Sequence, residues 1–500
     1  MEYVIGVDLG TSAVKCLLLD RAGNVVKEAE RSFSVMRPAP GYSEQDPDDW
    51  VRGTLQALKE LTTVEGDVKG ISFSGQMHGL VLLDGKGNVA RPAILWNDTR
   101  TTDQCRFIEE TAGLPELLRL VKNRPLEGFT LPKLLWVKEN EPQLFEHASV
   151  FMLPKDYVRY RLTGEIATDP SDAAGTLLLE SRTGEWSKNL LDLFGIPATL
   201  CPPILPSDEK AGNLNAETAA ETGLIEGTPV FTGGADNACG AIGAGILTPG
   251  DTMCSIGTSG VIVSYEEDAE VDYEGALHHF YHAVPGGYYA MGVTLSAGHS
   301  LSWFRDTFAA GESFDHLLQE AATVPPGANG LLFTPYLSGE RTPHADALIR
   351  GSFIGMDASQ TRGDFVKAVM EGITFSLKES VEILRSKGKT IDTIVSIGGG
   401  AKSDAWLQLQ ADIFGAEVVS LVTEQGPGLG AGILAATGSG WFSSIEEAAE
   451  TFIRYGKRYS PGAEAAATYE KVYSIYKQVY PNTRLINEQL YPFRKGGKET

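Results

Sequence analysis

A strand–turn–strand pattern occurs twice in this chain and constrains its fold more than any other feature. The first copy, YVIGVDLG from Tyr3, is apolar and β-branched, turns through Gly10, Thr11 and Ser12, and returns as AVKCLLLD; RAGN then turns the chain into VVKEAE. The second, TMCSIGTSGVIVSYEED from Thr252, again sets a glycine- and hydroxyl-bearing turn between two apolar strands. Two such hairpins predict two similar domains, and 500 residues are more than one core needs. Each half also carries a Gly/Ala-rich helical stretch, GGADNACGAIGAGIL from Gly233 and GPGLGAGILAATGSG from Gly426. Small side chains let helices approach closely, and the matched positions favour a paired hinge over merely tight core packing.

Helical segments such as DPDDWVRGTLQALKELT, capped by Asp46 with Pro47 at the first helical position, alternate with apolar strands such as VKGISFSG and TIVSIGGG. The fold class is therefore α/β. The main boundary falls near residue 247, where TPGD turns the chain before the second hairpin, and another near 445, giving units 1–247, 248–445 and a helical extension 446–500. The charged end, FRKGGKET, is expected to fray. A formal charge of -23 argues against nucleic-acid or membrane-surface partners, both polyanionic. Five scattered cysteines without a CxxC pair fit reduced thiols in a cytoplasmic protein. The first residues do not read as a signal peptide, and no segment is long and apolar enough to span a membrane.

The turn DLGTSAVK offers Asp8 as an acid able to hold a magnesium ion through water, and Gly10, Thr11 and Ser12 as phosphate contacts, with Lys15 on the next strand as a weaker addition. Such turns also favour these residues for conformational reasons alone. Gly257, Thr258 and Ser259 form the equivalent turn of the second hairpin, so two phosphate loops can face each other across a cleft. A third element, IGGGAKSDAWLQLQAD, runs from a strand through Gly398, Gly399, Gly400 and Ala401 into a helix, leaving bare backbone for a base or ribose. It is not a dinucleotide fingerprint, and no P-loop motif occurs. Asp236, in GGADN at a helix start beside the domain boundary, is the candidate base for a hydroxyl; its plainer alternative is a helix cap. The histidines His278, His279 and His282 read as a packed strand rather than a zinc site, since no carboxylates accompany them.

Together, the two turns, the glycine triplet and GGADN resemble the FGGY carbohydrate kinases, of the actin, Hsp70 and sugar kinase superfamily. Further segments carry the resemblance along nearly the whole chain: SGQMHG from Ser74, RPAILWNDTR from Arg91, LPKLLWV from Leu131, LPKDYVRYRLTGE from Leu153, SDAAGT from Ser171 and PYLSGERTPH from Pro335. The resemblance implies two duplicated ribonuclease-H-like domains around an ATP cleft, ATP and Mg2+ as co-substrate and metal, and a possible homodimer. It implies Asp236 as general base, Asp8 near magnesium and the β/γ-phosphates, and Met77, His78, Trp96 and Asn237 as sugar contacts, with Asn97, Asp98 and Arg100 as weaker candidates for the pocket. Met77-His78 stands where the glycerol kinase branch carries Arg-Glu, so a ketopentose, D-xylulose, is the implied acceptor. Other sugars or polyols (ribulose, rhamnulose, fuculose, gluconate, glycerol) are the first alternative, and a chaperone-like or filament-forming ATPase the second.

Overall fold

The structure, a computed structural model, describes residues 1–494. The expectation that the charged end frays falls largely outside them.

The two hairpins lie in two sheets of seven strands with the same internal order. In the first, β1 (Glu2–Leu9), β2 (Ala13–Leu19) and β3 (Val25–Ser32) pair antiparallel in succession. On the other side of β1, β4 (Asp67–Gly75) runs parallel; of the next two strands in the chain, β5 (Lys210–Asn213) and β6 (Pro229–Phe231), β6 lies parallel beside β4 and β5 closes the edge antiparallel to β6, with the two-residue β7 (Gly234–Ala235) on the end of β4. In the second, β8 (Thr252–Ile256) pairs antiparallel with β9 (Gly260–Glu266); β10 (His278–Tyr281) and β11 (Tyr288–Thr294) extend that side. On the other side of β8, β12 (Thr393–Gly398) and β13 (Glu417–Leu421) run parallel, with β14 (Tyr455–Tyr459) antiparallel at the edge. The predicted duplication is thus present in six strands of each sheet, with β1 equivalent to β8; β10 at the edge of the second sheet has no counterpart in the first, whose seventh strand is β7.

Helices cover both faces of these sheets, which explains why β1 reads as continuous apolar sequence: Val4, Ile5, Val7 and Leu9 are all fully buried. Helix α1 (Pro47–Leu61) covers one face and begins as predicted, with the Asp46 carboxylate accepting from the Asp48 amide and Pro47 in the first turn. The expected pair of small-residue helices is α2 (Asp236–Gly243) and α3 (Pro427–Gly438). They touch backbone to backbone: a Cβ on Gly430 would land on the Cys239 carbonyl oxygen. Helix α3, although it follows the second sheet's strands in sequence, packs on β1 and β4 of the first sheet. The chain therefore crosses back over the boundary expected at 247, and one apolar cluster runs through both halves.

The extension after 445 is not purely helical, a correction to the expectation. It supplies β14 because the edge of β13 is open to an antiparallel partner. It then forms α4 (Ala463–Tyr476), whose Tyr469, Tyr473 and Tyr476 are buried around Phe375, and α5 (Val479–Leu490). Among the described residues no helix is long and apolar enough to cross a membrane, and all five cysteines are free thiols.

Candidate active site

The two predicted acids meet at the C-terminal end of the first sheet. Asp8 pairs in register with Ser74 of β4, and β7 pairs with Ser74 and Gly75 before the chain enters α2 at Asp236. Burial lifts the Asp8 carboxyl to about 6, against the Ser74 hydroxyl and the charge of Lys15. Burial, and then the charge of Asp8, lifts Asp236 to about 7, against a hydrogen bond from the Asn237 amide. Asp236 is the first residue of its helix, not the cap. Its carboxylate accepts only from the neighbouring Asn237, at 2.7 Å from the amide and 3.0 Å from the side chain. The plainer capping alternative therefore fails, and the carboxylate stays open to the cavity beside it.

That cavity, about 280 Å³, is lined by the four predicted sugar contacts Met77, His78, Trp96 and Asn237 and by Asp236, the predicted base. The first half of the chain adds Gly128 and Phe129. From the second half come Val261 on β9, His278 and Phe280 on β10, Met291 and Val293 on β11, Ser259 and Arg341. Of these strand residues the sequence marked only His278, and that as packing rather than as a cavity wall. The usable signal is their spacing of two on adjacent strands in register, Val261 opposite Val293 and His278 opposite Met291, which puts them on one face.

His78 has a backbone φ of +69°, a conformation that side chains rarely adopt. Three contacts hold it there. Its Nδ1 is 2.7 Å from the Gly175 carbonyl, and its own carbonyl accepts from Thr130 Oγ1 at 3.1 Å and Lys133 Nζ at 2.8 Å. Lys133 also donates to the Gly128 carbonyl at 2.6 Å, so this fully buried lysine fastens two walls of the cavity. Burial holds the His78 imidazole neutral, with its pKa down at about 3.

Behind Asp236 lies a fully buried group of Lys155, Asp156, Arg159, Asp169 and Asp172. Lys155 is 2.6 Å from Asp156 and 2.8 Å from Asp169, and Arg159 is 2.8 Å from Asp156. Burial pushes the Asp172 carboxyl well up, against the charge of Lys155. This group grips the GGAD turn at two points. Arg159 donates to the Thr232 carbonyl at 2.7 Å, and the Ala235 amide donates at 2.9 Å to Ser171 Oγ, which in turn donates to Asp169. The segments LPKLLWV, LPKDYVRYRLTGE and SDAAGT thus supply support for the site rather than contacts within it.

The two turns predicted to contact phosphate sit at the ends of β1 and β8. Gly10 closes the first by donating to the Ala13 carbonyl at 2.9 Å. Thr11 Oγ1 donates to Gln76 at 3.0 Å and accepts from Trp96 Nε1 at 2.9 Å, joining this turn to the wall of the cavity. In the second turn, the Gly257 carbonyl accepts from Gly298 at 2.8 Å and the Thr258 carbonyl from Ala297 at 3.0 Å. Ile256 pairs with Gly398, so the glycine run Gly398–Ala401 lies beside this turn. Two predicted contacts are already engaged: the Gly398 amide donates to Glu424 at 2.9 Å, and Lys15 bonds Gln425 at 2.8 Å and pairs with Glu28 at 3.2 Å. Ser12 keeps its place in the first turn, where its carbonyl accepts from Phe33 at 2.7 Å.

The weaker pocket candidates are corrected. Asn97 lines a separate surface cleft with Arg37 and Tyr42. Asp98 and Arg100 form a buried ion pair at 2.6 Å, with the guanidinium 3.6 Å from the Tyr42 ring centre. His278, His279 and His282 hold no metal cluster among the described residues; His278 instead faces the cavity, with Nδ1 3.0 Å from Asn123.

Comparison with known families agrees with this arrangement. The N-terminal domain model of the FGGY family of carbohydrate kinases matches residues 3–243, and its C-terminal domain model matches residues 252–439. The chain belongs to this family. It is a carbohydrate kinase with the two-domain fold of sugar kinases. This kinase is 56% identical to the xylulose kinase of Bacillus subtilis (strain 168), over 99% of this chain and 100% of that protein. It is also similar to the crystal structure of ligand-bound xylulose kinase from Lactobacillus acidophilus, at 28% identity and a TM-score of 0.94 over 98% of this chain and 100% of that one. A gluconate kinase structure from the same organism is similar at 29% identity and a TM-score of 0.92, over 96% of this chain and 98% of that one.

Proposed function

We propose that this kinase transfers the γ-phosphoryl group of ATP to O5 of D-xylulose, giving D-xylulose 5-phosphate and ADP. The observation that carries the reading is the cavity in which Met77, His78, Trp96 and Asn237 surround an otherwise uncommitted carboxylate, Asp236, beside the phosphate turns. Relatives named xylulose kinase, at up to 56% identity over the full chain, support the choice of sugar.

Asp236 accepts the proton of the 5-hydroxyl as that oxygen attacks the γ-phosphorus, and the bond from phosphorus to the β-phosphate oxygen breaks. A pKa raised to about 7 suits this role, because roughly half of the carboxylate is ionised at neutral pH while its basicity is far above that of an ordinary carboxylate. The turns at Gly10–Ser12 and Gly257–Ser259, with Gly398–Ala401 beside them, hold the triphosphate and nucleoside. Asp8 would hold Mg2+ through water. The fit is electrostatic: the charge of Asp8 raises the affinity of Asp236 for a proton, a repulsion that a divalent cation would relieve. When bound, the ion neutralises charge on the β- and γ-phosphates. The close contact of α2 and α3 provides the hinge about which the halves close to exclude water. Five free thiols and a charge of -23 support a cytoplasmic location.

Phosphorus and carbon NMR of the product tests the reading. Phosphorus coupled to C5 of D-xylulose, with one ADP formed per sugar, is expected; phosphate on another carbon, or ADP without sugar phosphate, refutes it.

A further inference from the structure

Arg341, in the segment PYLSGERTPH, reaches the sugar cavity from the second half of the molecule. Its backbone is tightly held. Buried Glu340 accepts from the Arg341 amide at 2.8 Å and the Leu295 amide at 3.0 Å. Thr342 exchanges hydrogen bonds with Val293, amide to carbonyl and amide to hydroxyl, each at 3.0 Å. Further along, His344 stacks on Tyr480 of α5 with ring centres 3.7 Å apart, and Arg494 donates to the Leu348 carbonyl at 2.7 Å. The C-terminal extension thus braces the segment on its outer side, while β11 holds it on the inner side.

The guanidinium so presented makes no hydrogen bond and no ion pair among the described residues. Its neighbours around the cavity have commitments. Nδ1 of His78 meets Gly175, Nδ1 of His278 meets Asn123, Trp96 bonds Thr11, and the Asn237 amide group bonds Asp236. Arg341 acts electrostatically on His78 and His278, and the carboxylates of Glu127 and Glu340 act on it in turn. A tightly held backbone that presents a fork of donors without a hydrogen-bond partner among the described residues, in a cavity entered from the other half by Asp236, calls for a ligand with adjacent oxygen acceptors.

We infer that Arg341 binds the end of the sugar remote from the transferred phosphoryl group, its fork donating to the C1 hydroxyl and C2 carbonyl oxygens of a ketopentose. This rests on the substrate reading above and extends it: the sugar bridges Met77 and His78 of the first half to Arg341 of the second, so its occupancy favours the closed arrangement.

The test is Arg341→Met, compared with the parent by steady-state kinetics and by the thermal shift that D-xylulose induces. The KM for D-xylulose should rise about 10- to 100-fold, the range for a lost hydrogen bond to a charged group, with the KM for ATP within about twofold and the sugar-induced thermal shift lost. A sugar KM within about twofold of the parent, or an ATP KM that rises alongside it, overturns the inference. Should Arg341→Met fail to fold, Arg341→Lys replaces it; the compact ammonium cannot reproduce the fork, and a sugar KM raised at least about fivefold is required. A parent that turns over no D-xylulose defeats the substrate reading instead, and the same thresholds then apply to whichever sugar it prefers.

Discussion

Replacing Asp236 with asparagine should abolish most turnover and, at the same time, stabilise the unliganded protein at alkaline pH. Burial lifts the carboxyl from an ordinary 3.8 to about 7 in the folded chain. This corresponds to an upper bound of about 4 kcal/mol. The carboxylate is only partly buried, which reduces the penalty, so about 2 kcal/mol is the working figure. The sign follows from proton binding. Between pH ~4 and ~7 the folded state holds a proton that the unfolded state has released, so the parent loses stability as pH rises through that window. The amide has no charge to bury and its stability does not follow this curve. Melting temperatures of the two proteins should therefore nearly coincide at pH 4 and diverge by several degrees in favour of Asp236→Asn by pH 8. Turnover should fall by about 10²- to 10⁴-fold, the usual contribution of a general base, with sugar binding retained. Near-normal turnover, or a variant no more stable than the parent at pH 8, would refute the reasoning.

Two further substitutions probe the support of the site. Ser171→Ala removes the acceptor of the Ala235 amide and a donor to Asp169; it should cost about 1–3 kcal/mol by denaturant melt. Because it loosens the residue before the base, kcat should fall about tenfold with little change in the sugar KM, and Ser171→Thr, which keeps the hydroxyl, should recover most of it. Gly430→Val places side-chain atoms on the Cys239 carbonyl, forcing α2 and α3 apart. Its melting temperature should drop by far more than that of a surface valine substitution, and a variant as stable as the parent would show that these helices are not closely paired.

Much of this architecture was legible in the sequence because it depends on local rules. Alternating and continuous apolar runs marked β1, β2, β8 and β9, glycines with hydroxyl residues marked the turn of each hairpin, and Asp46-Pro47 marked the start of α1. Asp8, Asp236, Met77 and His78 were readable because each sits in a short motif at the end of a strand. What escaped depends on distant pairing. Nothing near Pro427 tells α3 to lie on the first sheet instead of the second; only the bare surface of Gly6 and its neighbours, far away in sequence, receives it. Strand β14 was read as part of a helical tail because Tyr455–Tyr459 becomes a strand only against the edge of β13. The buried lysines Lys133 and Lys155 look like surface residues until their partners are known. Asp98 and Arg100 mislead for the same reason: their proximity to Trp96 in sequence is not proximity to the cavity.

The central claim, that this kinase acts on D-xylulose, is tested most directly by coupled ADP release with MgATP across D-xylulose, D-ribulose, L-ribulose, L-rhamnulose, D-gluconate, glycerol and no sugar, compared as kcat/KM. D-xylulose is predicted to lead, with release in the absence of sugar negligible because closure depends on it. A higher value for another acceptor would contradict the assignment of the cavity around Met77, His78 and Arg341, and release that ignores every sugar would contradict the phosphotransfer mechanism itself.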